Sequence, residues 1–173
     1  MTGELFYTVF DTAAGWIAVL GSPAGLRRVT LPVKSRHEVS EQPGFDIYQA
    51  KEFHRFFKDT IERLVSYFSG NKVDFPEKLD LTGATDFQRE VWRATLSIPY
   101  GETRSYGWVA GRINRPKAPR AVGQALGRNP LPVIIPCHRV LSGDGSLGGF
   151  TGGLEMKRFL LGIERRGIGS GLA

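Results

Sequence analysis

Cys137 and His138 are neighbours whose side chains suit nucleophilic catalysis. A thiolate is the reactive form of cysteine, and a positive group, a basic imidazole or a helix N-terminus favours it. The segment LPVIIPCHRV places the thiol just after the apolar run 133–135, which predicts a strand ending there. Adjacent strand side chains point to opposite faces. A turn at Cys137-His138 is therefore required to bring imidazole and sulfur together, directly or through a water molecule.

A third group that orients the histidine would complete a catalytic relay. Spacing does not identify it, but Glu155 and Glu164 lie downstream on a stretch with a helical pattern. The alternative is a buried and inert cysteine, because cysteine packs well as a small apolar residue. The loop after Cys137 favours chemistry, since glycine lets a backbone wrap closely around a planar ligand, although a plain flexible loop would have the same composition. Its glycines are Gly143, Gly145, Gly148, Gly149, Gly152 and Gly153.

Metal chemistry is not expected from this sequence. There is one cysteine, and the other histidines, His37 and His54, lack the spacing of zinc ligands. A single cysteine also excludes an internal disulfide bond, which fits a reducing compartment. We therefore expect neither a metal nor another cofactor.

The composition is that of an ordinary globular protein. The chain has 173 residues, 41% of them hydrophobic, and a formal net charge of +6. No stretch is long and apolar enough to span a bilayer, and the N-terminus lacks the pattern of a signal peptide. These features predict an intracellular, cytoplasmic protein without a membrane contact. The basic charge is compatible with a polyanionic partner but does not establish one.

The N-terminal half predicts a small sheet followed by a helix. Residues 5–31 alternate as strands do, and 34–48 read as a loop with a short helix. Residues 50–69 have an aromatic stripe with helical spacing, which predicts a helix packed on the sheet. Residues 71–84 read as a linker. The stripe consists of Phe53, Phe56, Phe57, Ile61, Leu64, Val65 and Phe68.

The C-terminal half predicts several helices. Thr85 and Gln88 have the spacing of a capping box, Ser105 can cap a short helix, and Pro119 suits the first turn of the next one. Two short helices joined by the segment NRPKAP suggest a helix-turn-helix.

The second of these helices is predicted to have two distinct faces. Ala118, Val122, Ala125 and Leu126 form the face that packs inward, and Arg120, Gly123, Gln124 and Gly127 form the other. Each exposed helical glycine costs roughly 1 kcal/mol relative to alanine. Three explanations of the glycines are open: a surface helix whose exposed residues are not optimised for stability, close packing on another element, or close approach to a DNA groove. The lone arginine favours DNA.

The motif IPCHRV resembles the active-site motif of the O6-alkylguanine-DNA alkyltransferases, also called methylated-DNA–protein-cysteine methyltransferases. The resemblance continues through RAVGQALGRNPLPVIIPCHRV, YGETRSYGWVA and GSLGGFTGGLEMKRFLLGIE, and it covers nearly all of residues 85–165. It implies an α/β (α+β) chain with a ribonuclease-H-like sheet-and-helix domain over 1–80. A mostly helical, winged helix-turn-helix-like catalytic domain over 81–173 would follow.

The resemblance also implies roles for the residues around the thiol. Cys137 would accept the alkyl group, His138 would act as its base through a water, and Glu164 would lie behind the imidazole. Asn129 would fix the turn between the recognition helix and the active-site strand. The substrate pocket would consist of Pro132, the Val140 carbonyl, Phe150, the Thr151 backbone and Tyr106. Phe150 replaces a tyrosine common in the family, which affects only fine substrate preference.

DNA contacts follow from the same resemblance. Arg120 would intercalate where the damaged guanine leaves the stack, and Tyr106 would press on the target phosphate. A helix-turn-helix in the minor groove would account for small residues on the helix, and the zinc site of some relatives would be absent because its cysteines are missing. The implied DNA contacts are Arg120, Tyr106, Ala121, Gly123, Thr103 and Arg128.

The implied activity is repair of double-stranded DNA that contains O6-alkylguanine, with O4-alkylthymine as a further substrate. A monomer would flip the base out of the duplex and transfer the alkyl group irreversibly to its own cysteine, once per molecule. Two other hypotheses stay open. A turnover cysteine hydrolase or acyltransferase would use the same residues, and a damage sensor would bind without repair, although sensors of that kind lack the cysteine.

Overall fold

The computed structural model describes residues 3–45 and 47–169 and divides the chain into two compact units, Met1–Thr82 and Gly83–Ala173. Both units mix helices and strands, so the chain is α+β. No helix formed by the described residues is long and apolar enough to cross a membrane.

The first unit contains a four-stranded sheet in the order β3-β2-β1-β4. The strands predicted in residues 5–31 are confirmed, and β1 pairs antiparallel with β2, which pairs antiparallel with β3. The remaining strand, β4, lies parallel to β1. Their bounds are β1 Leu5–Thr12, β2 Gly15–Ser22, β3 Gly25–Val29 and β4 Ala50–Glu52.

Helices lie on both faces of this sheet. On one face, Ala18 and Leu20 pack with Val39, which belongs to α1 (Arg36–Ser40), and with Phe45. On the other face, Gly21 approaches Phe57, which precedes α2 (Lys58–Phe68). Because alternate residues of β2 point to opposite faces, burial on both sides explains why this strand is almost continuously apolar.

The helix predicted over residues 50–69 begins later than the aromatic spacing indicates. Its first residues form β4, because Phe53 N donates to Tyr7 O at 2.9 Å and so continues the pairing with β1. A 3₁₀ turn, His54–Phe57, then leads into α2. Phe57 is buried, but Phe53 and Phe56 remain 45% and 39% exposed. Both rings nevertheless pack against Phe6 of β1, with ring centroids 5.6 and 4.7 Å away, so the predicted packing on the sheet is confirmed although it leaves them partly exposed.

The segment 71–84 was expected to be a linker, but its later part extends the sheet. Leu26 N donates to Lys78 O and Asp80 N donates to Leu26 O, both at 2.8 Å. Leu26 and Leu79 thus form a parallel bridge at the outer edge of β3. The edge strand gains hydrogen-bond partners in this way, which protects it from pairing with another chain.

The second unit is built on helices whose starts match the sequence signals. Thr85 caps α3 (Asp86–Leu96) in a complete capping box with Gln88. Ser105 Oγ accepts from Trp108 N at the start of α4 (Tyr106–Arg112), and Pro119 is the first residue of α5 (Pro119–Gly127). The other elements are β5 Arg104–Ser105, β6 Val140–Leu141 and α6 Leu154–Gly169, with β5 parallel to β6.

The strand predicted before Cys137 does not form. Residues 131–136 make consecutive turns instead, with Ile135 N donating to Leu131 O at 2.8 Å and Val133 at φ 75°. A β-branched residue rarely adopts positive φ, and such strain persists only where the surroundings impose it. Here both ends of the segment are held, since α5 ends just before it and a 3₁₀ turn, Cys137–Arg139, follows it.

Candidate active site

A cleft of about 950 Å³ opens above Cys137 in the second unit. The start of α4 forms one wall, one face of α5 forms another, and the glycine-rich loop 142–153 closes the third side. The structure brings together six of the predicted site residues along this cleft: Tyr106, Arg120, Gly123, Cys137, Phe150 and Thr151. Most of the surface that lines the cleft is apolar, and the Cys137 thiol is one of the few polar groups exposed to it.

Cys137 lies at the floor of the cleft and is only 8% exposed. The 3₁₀ turn Cys137–Arg139 replaces a regular strand at this point, so the thiol and the imidazole are not fixed on opposite faces of a strand. Burial raises the pKa of the thiol, while the hydrogen bond from Asn129 and the positive charge of Lys157 act in the opposite direction. The resting side chain is therefore a thiol rather than a thiolate.

Asn129 joins the end of α5 to this turn. Its Nδ2 donates to Ile135 O at 2.9 Å and to Cys137 Sγ at 3.2 Å, and its Oδ1 accepts from Leu131 N at 2.9 Å. One amide thus crosses the strained segment and touches the reactive sulfur. The contacts are those of a side chain that positions Cys137 relative to α5.

Behind the cysteine, His138 and Glu164 form a fully buried pair. His138 Nε2 lies 2.6 Å from Glu164 Oε1, and Glu164 projects from α6. The other candidate carboxylate, Glu155, is exposed on the same helix. The structure therefore selects between the two carboxylates that the sequence offered.

Arg139 completes the cluster and was not singled out from the sequence. Its Nε donates to both carboxylate oxygens of Glu164 at 3.1 and 2.9 Å, and its Nη1 donates to Ile98 O at 2.7 Å. The backbone N–H of Gly101 donates to Glu164 Oε2 at 3.0 Å. Glu164 is thus a buried carboxylate with several donors, the arrangement that makes burial of a charge tolerable.

The electrostatics of this cluster leave the imidazole neutral at rest. Burial lowers the pKa of His138, against the hydrogen bond and charge of Glu164, which act to raise it. Burial would raise the pKa of Glu164, but hydrogen bonds from His138 and Arg139 together with the charge of Arg139 lower it to about 2. A neutral imidazole held by an ionised carboxylate can accept a proton from a thiol, which is the chemistry of an activated nucleophile.

We expect the protein to lose stability as the pH falls from about 4.5 towards 2. The pKa of Glu164 is lower in the folded state, about 2 against an ordinary 4.5, so its contribution is complete above 4.5 and disappears as the carboxylate is protonated. Urea unfolding at a series of pH values should show this loss. Glu164→Gln should be less stable at neutral pH and have a flatter acid limb, whereas the exposed control Glu155→Gln should retain it. Parallel pH profiles for Glu164→Gln and the unmodified protein would contradict the assignment.

Lys157 is a second functional candidate that the sequence reasoning missed. Its Nζ donates to the carbonyls of Val140 and Gly149 at 2.7 and 3.1 Å and also to Leu147 O, and it lies 5.7 Å from the Tyr106 ring centroid. Burial lowers its pKa to about 8, partly offset by Cys137. The side chain holds the glycine-rich loop beside the thiol. Its helical spacing from Leu160 and Glu164 was a signal, since it places a lysine on the buried face of α6.

The glycines of α5 face the cleft walls. A side chain at Gly123 would come within 3.7 Å of the Tyr106 ring, and one at Gly127 within 3.8 Å of Thr151 Oγ1. Thr151 Oγ1 also donates to Gly127 O at 2.8 Å, which ties the loop to the end of α5. These spacings are ordinary van der Waals distances, so the walls would admit alanine. Close packing alone therefore does not explain the glycines.

Arg120 lies on the same face of α5, exposed at the mouth of the cleft. Among the described residues it takes part in no ion pair or hydrogen bond. An extended cation is thus available to a ligand that covers the cleft. The inward face of the helix is as predicted for Val122, Ala125 and Leu126, which are buried.

The remaining predicted site residues lie beside the cleft rather than on its lining. Val140 is buried, and its carbonyl accepts from Lys157. Pro132 belongs to the turns before Cys137, and Arg128 caps the C-terminus of α5. Thr103 and Arg128 are exposed, and Ala121 is half-buried on α5. Nothing in the cleft geometry assigns these residues a contact with a substrate.

The parts of the chain that the structure describes contain no cluster of three or more potential metal-ligating residues. The absence of a metal requirement stays a prediction, to be checked by elemental analysis of the purified protein and by activity in the presence of a chelator. Activity that a chelator abolishes and zinc restores would contradict it.

The chain is similar to known proteins over most of its length. A family model described as "6-O-methylguanine DNA methyltransferase, DNA binding domain" matches residues 86–166. The methylated-DNA–protein-cysteine methyltransferase of Methanosarcina acetivorans is 41% identical over 160 residues, which are 92% of this chain and 98% of that protein. That of Mycolicibacterium paratuberculosis is 52% identical over 112 residues, 65% of this chain and 67% of its own.

Solved structures agree with this assignment. Mycobacterium tuberculosis OGT in complex with DNA superimposes with a TM-score of 0.80 at 38% identity, covering 93% of each chain. An O6-methylguanine DNA methyltransferase from Methanococcus jannaschii gives a TM-score of 0.60 at 31% identity, covering 91% of this chain and 93% of that one. The chain therefore belongs to the family of methylated-DNA–protein-cysteine methyltransferases, the DNA-binding transferases of DNA alkylation repair.

Proposed function

We propose that this protein removes the alkyl group from O6-alkylguanine in duplex DNA and keeps it on Cys137. The observation that carries the proposal is a single thiol at the floor of an apolar cleft, next in sequence to an imidazole held by a buried carboxylate. A base inside a duplex hides its O6 atom, so the nucleotide must leave the stack to reach the thiol. O4-alkylthymine, which has a comparable alkoxy group, is the second proposed substrate.

The transfer is a nucleophilic displacement at the alkyl carbon. His138 takes the thiol proton through a water, the Cys137 sulfur forms a bond to the alkyl carbon, and the bond from that carbon to the guanine oxygen breaks. The electron pair leaves with guanine, which then takes up a proton. Glu164 stabilises the imidazolium that His138 becomes while it holds the thiol proton. Because a thioether resists hydrolysis, each molecule acts once.

Tyr106, Lys157 and the loop shape the pocket around the base. The Tyr106 hydroxyl lies 3.4 Å from Gly149 O, and burial raises its pKa, so it remains a neutral donor. We assign Phe150 and Pro132 to the walls of the pocket. The Val140 carbonyl and the Thr151 backbone then read the guanine edge, since a carbonyl already bound by Lys157 has a second lone pair available.

DNA docking is assigned to α4 and α5 as a winged helix-turn-helix in the minor groove. Arg120 fills the space that the flipped nucleotide vacates, and Tyr106 presses on its phosphate. The remaining proposed contacts are Thr103, Ala121, Gly123 and Arg128. A similar protein of known structure is bound to DNA, which supports the docking. The proposal further includes a ribonuclease-H-like N-terminal domain over 1–80, a catalytic domain over 81–173, and a monomer acting in the cytoplasm.

The mass of the intact protein after incubation with a duplex containing O6-methylguanine tests the proposal. We expect one added methyl group per molecule, located on Cys137, and no further reaction with fresh substrate. An O4-methylthymine duplex in parallel tests the second substrate, and undamaged duplex is the control. Continued product formation without a mass change would indicate a hydrolase. Duplex binding without any transfer would indicate a damage sensor, and either result would overturn the proposal.

Alkylation of Cys137 should lower the melting temperature of the protein. The sulfur is almost fully buried and touches the Asn129 amide, so an added group overpacks the site, which typically costs about 1–3 kcal/mol. At this chain length, roughly 2–4 °C is lost per kcal/mol. Thermal melts of free, methylated and benzylated protein should follow that order, with the benzylated form melting first. Equal melting points would show that the pocket accepts the adduct without strain.

A further inference from the structure

Three phenylalanine rings lie together at the surface of the first unit, far in sequence from the cleft. Phe6, Phe53 and Phe56 form this aromatic patch, with ring centroids 4.7 Å apart for Phe6 and Phe56 and 5.6 Å for Phe6 and Phe53. Phe53 is 45% exposed and Phe56 is 39% exposed. Isolated exposed aromatic residues are common, whereas contiguous apolar patches are more frequent at interaction sites.

Positive side chains alternate with these rings along the chain. Lys51, Arg55 and Lys58 are all exposed, and together with the two phenylalanines they make up most of the run KEFHRFFK at 51–58. Lys51 pairs with Glu4, and the one acid of the run, Glu52, is neutralised by Arg36 at 2.6 Å. Arg55 and Lys58 form no ion pair with any residue that the structure describes. Arg55 and Lys58, which lie beside exposed aromatic rings, would attract a ligand that carries both negative charge and flat apolar groups.

A groove continues from the patch along the start of α2. It has a volume of about 460 Å³, and Phe56 forms part of its wall together with Arg55, Lys58 and Arg63. Arg63 is neutralised by Glu77 at 2.7 Å, and Asp59 is the other acid in the lining. The groove therefore gives a chain of negative groups a path beside the rings.

We propose that the aromatic patch and this groove bind single-stranded nucleic acid. Unpaired bases stack on exposed aromatic rings while nearby cations follow the backbone, the usual arrangement of sequence-tolerant single-strand binding. A duplex cannot use the rings in this way because its bases are already stacked. A second copy of this chain fits less well, since docking around a two-fold axis would place the cations of both copies face to face. The site is separate from the transfer reaction and does not depend on Cys137.

Photo-cross-linking locates the bound strand. The full-length protein is irradiated with an oligothymidine that carries 5-iodouracil, and the cross-linked peptides are identified by mass spectrometry. We expect adducts on Phe53 or Phe56. Adducts confined to residues 103–128 would place single strands at the helix-turn-helix alone and would overturn the proposal.

Binding of the same oligothymidine by variants tests the chemistry. The double variant Phe53→Ala/Phe56→Ala should lose roughly tenfold or more in affinity, because each stacked base contributes substantially. It should still transfer benzyl from free O6-benzylguanine at the unmodified rate, which reports an intact second unit. Asp59→Asn should bind more tightly, since it removes an acid from the groove.

The control is Phe159→Ala, which removes a ring that is 40% exposed on α6 and should leave affinity unchanged. Equal loss in Phe159→Ala and the double variant would show a non-specific effect of surface aromatics and overturn the site. A peptide of alternating glutamate and phenylalanine, offered in parallel, distinguishes a protein partner. Binding of that peptide to the patch without binding of oligothymidine would replace nucleic acid with an acidic protein segment.

Discussion

Cys137→Ser is expected to abolish alkyl transfer while duplex binding stays within a few-fold of the unmodified protein. Cys137 is the only cysteine in the chain, so no other thiol can take its place. A serine hydroxyl is a far weaker nucleophile than a thiol, because its pKa is much higher and oxygen is intrinsically less nucleophilic than sulfur. Most of the surface that faces a ligand belongs to α4, α5 and the glycine-rich loop, which the substitution leaves intact.

The measurement is transfer of labelled methyl from duplex substrate, together with duplex affinity under the same conditions. Serine Oγ can accept the hydrogen bond of Asn129, so the turn should keep its shape, and Cys137→Ala tests whether loss of that acceptor matters. Labelled protein at near the unmodified rate would refute the assignment of Cys137. If label appeared on Lys157 instead, the buried amine rather than the thiol would be the acceptor.

Arg120→Ala is expected to slow repair of duplex on the order of 100-fold and to leave transfer from free O6-benzylguanine nearly unchanged. Extruding a nucleotide costs a few kcal/mol, and each 1.4 kcal/mol corresponds to a factor of ten in rate. The free base needs no extrusion. Arg120 is exposed at the mouth of the cleft and forms no hydrogen bond or ion pair with any described residue, so its loss should not disturb the fold.

Single-turnover rates on both substrates provide the test. Arg120→Lys keeps the charge without the planar guanidinium and separates electrostatic attraction from filling of the stack.

Affinity for duplex should also fall as salt rises, because phosphate contacts release counterions. Equal slowing on duplex and free base would show that Arg120 supports the pocket instead, and salt-independent binding would contradict docking through phosphates.

Local signals in the sequence predicted much of the framework. The strands of residues 5–31 were predicted from the two-residue repeat of their larger side chains and the turn residues between them, although β2 is almost continuously apolar. The starts of α3, α4 and α5 follow from Thr85, Ser105 and Pro119. A cap or a proline acts within one turn of chain, so its effect needs no knowledge of distant residues. Such elements were predictable for that reason.

Other predictions failed because hydrogen bonds to other segments decided the backbone conformation. The aromatic residues at 50–57 have helical spacing, yet residues 50–52 pair with β1 and form β4. The apolar run 133–135 has the composition of a strand, but Asn129 and the neighbouring turns bend it until Val133 adopts positive φ. In the first case the hydrogen bonds come from a distant strand and in the second from an adjacent turn, and in both they outweigh a local preference worth at most about 1 kcal/mol per residue.

The active site divides in the same way. The sequence by itself determined that one thiol and an adjacent imidazole were available. Spacing narrowed the orienting group to Glu155 or Glu164, and the family resemblance implied Glu164. The tertiary structure supplies the physical reason, because the packing of α6 buries that carboxylate against His138 and leaves Glu155 in solvent. It also brought Arg139 and Lys157 into contact with the cluster and the loop. The physical reason is that a buried charge is stable only where the fold brings partners to it from several segments of the chain. The spacing of residues along the sequence does not show which segments will meet in this way.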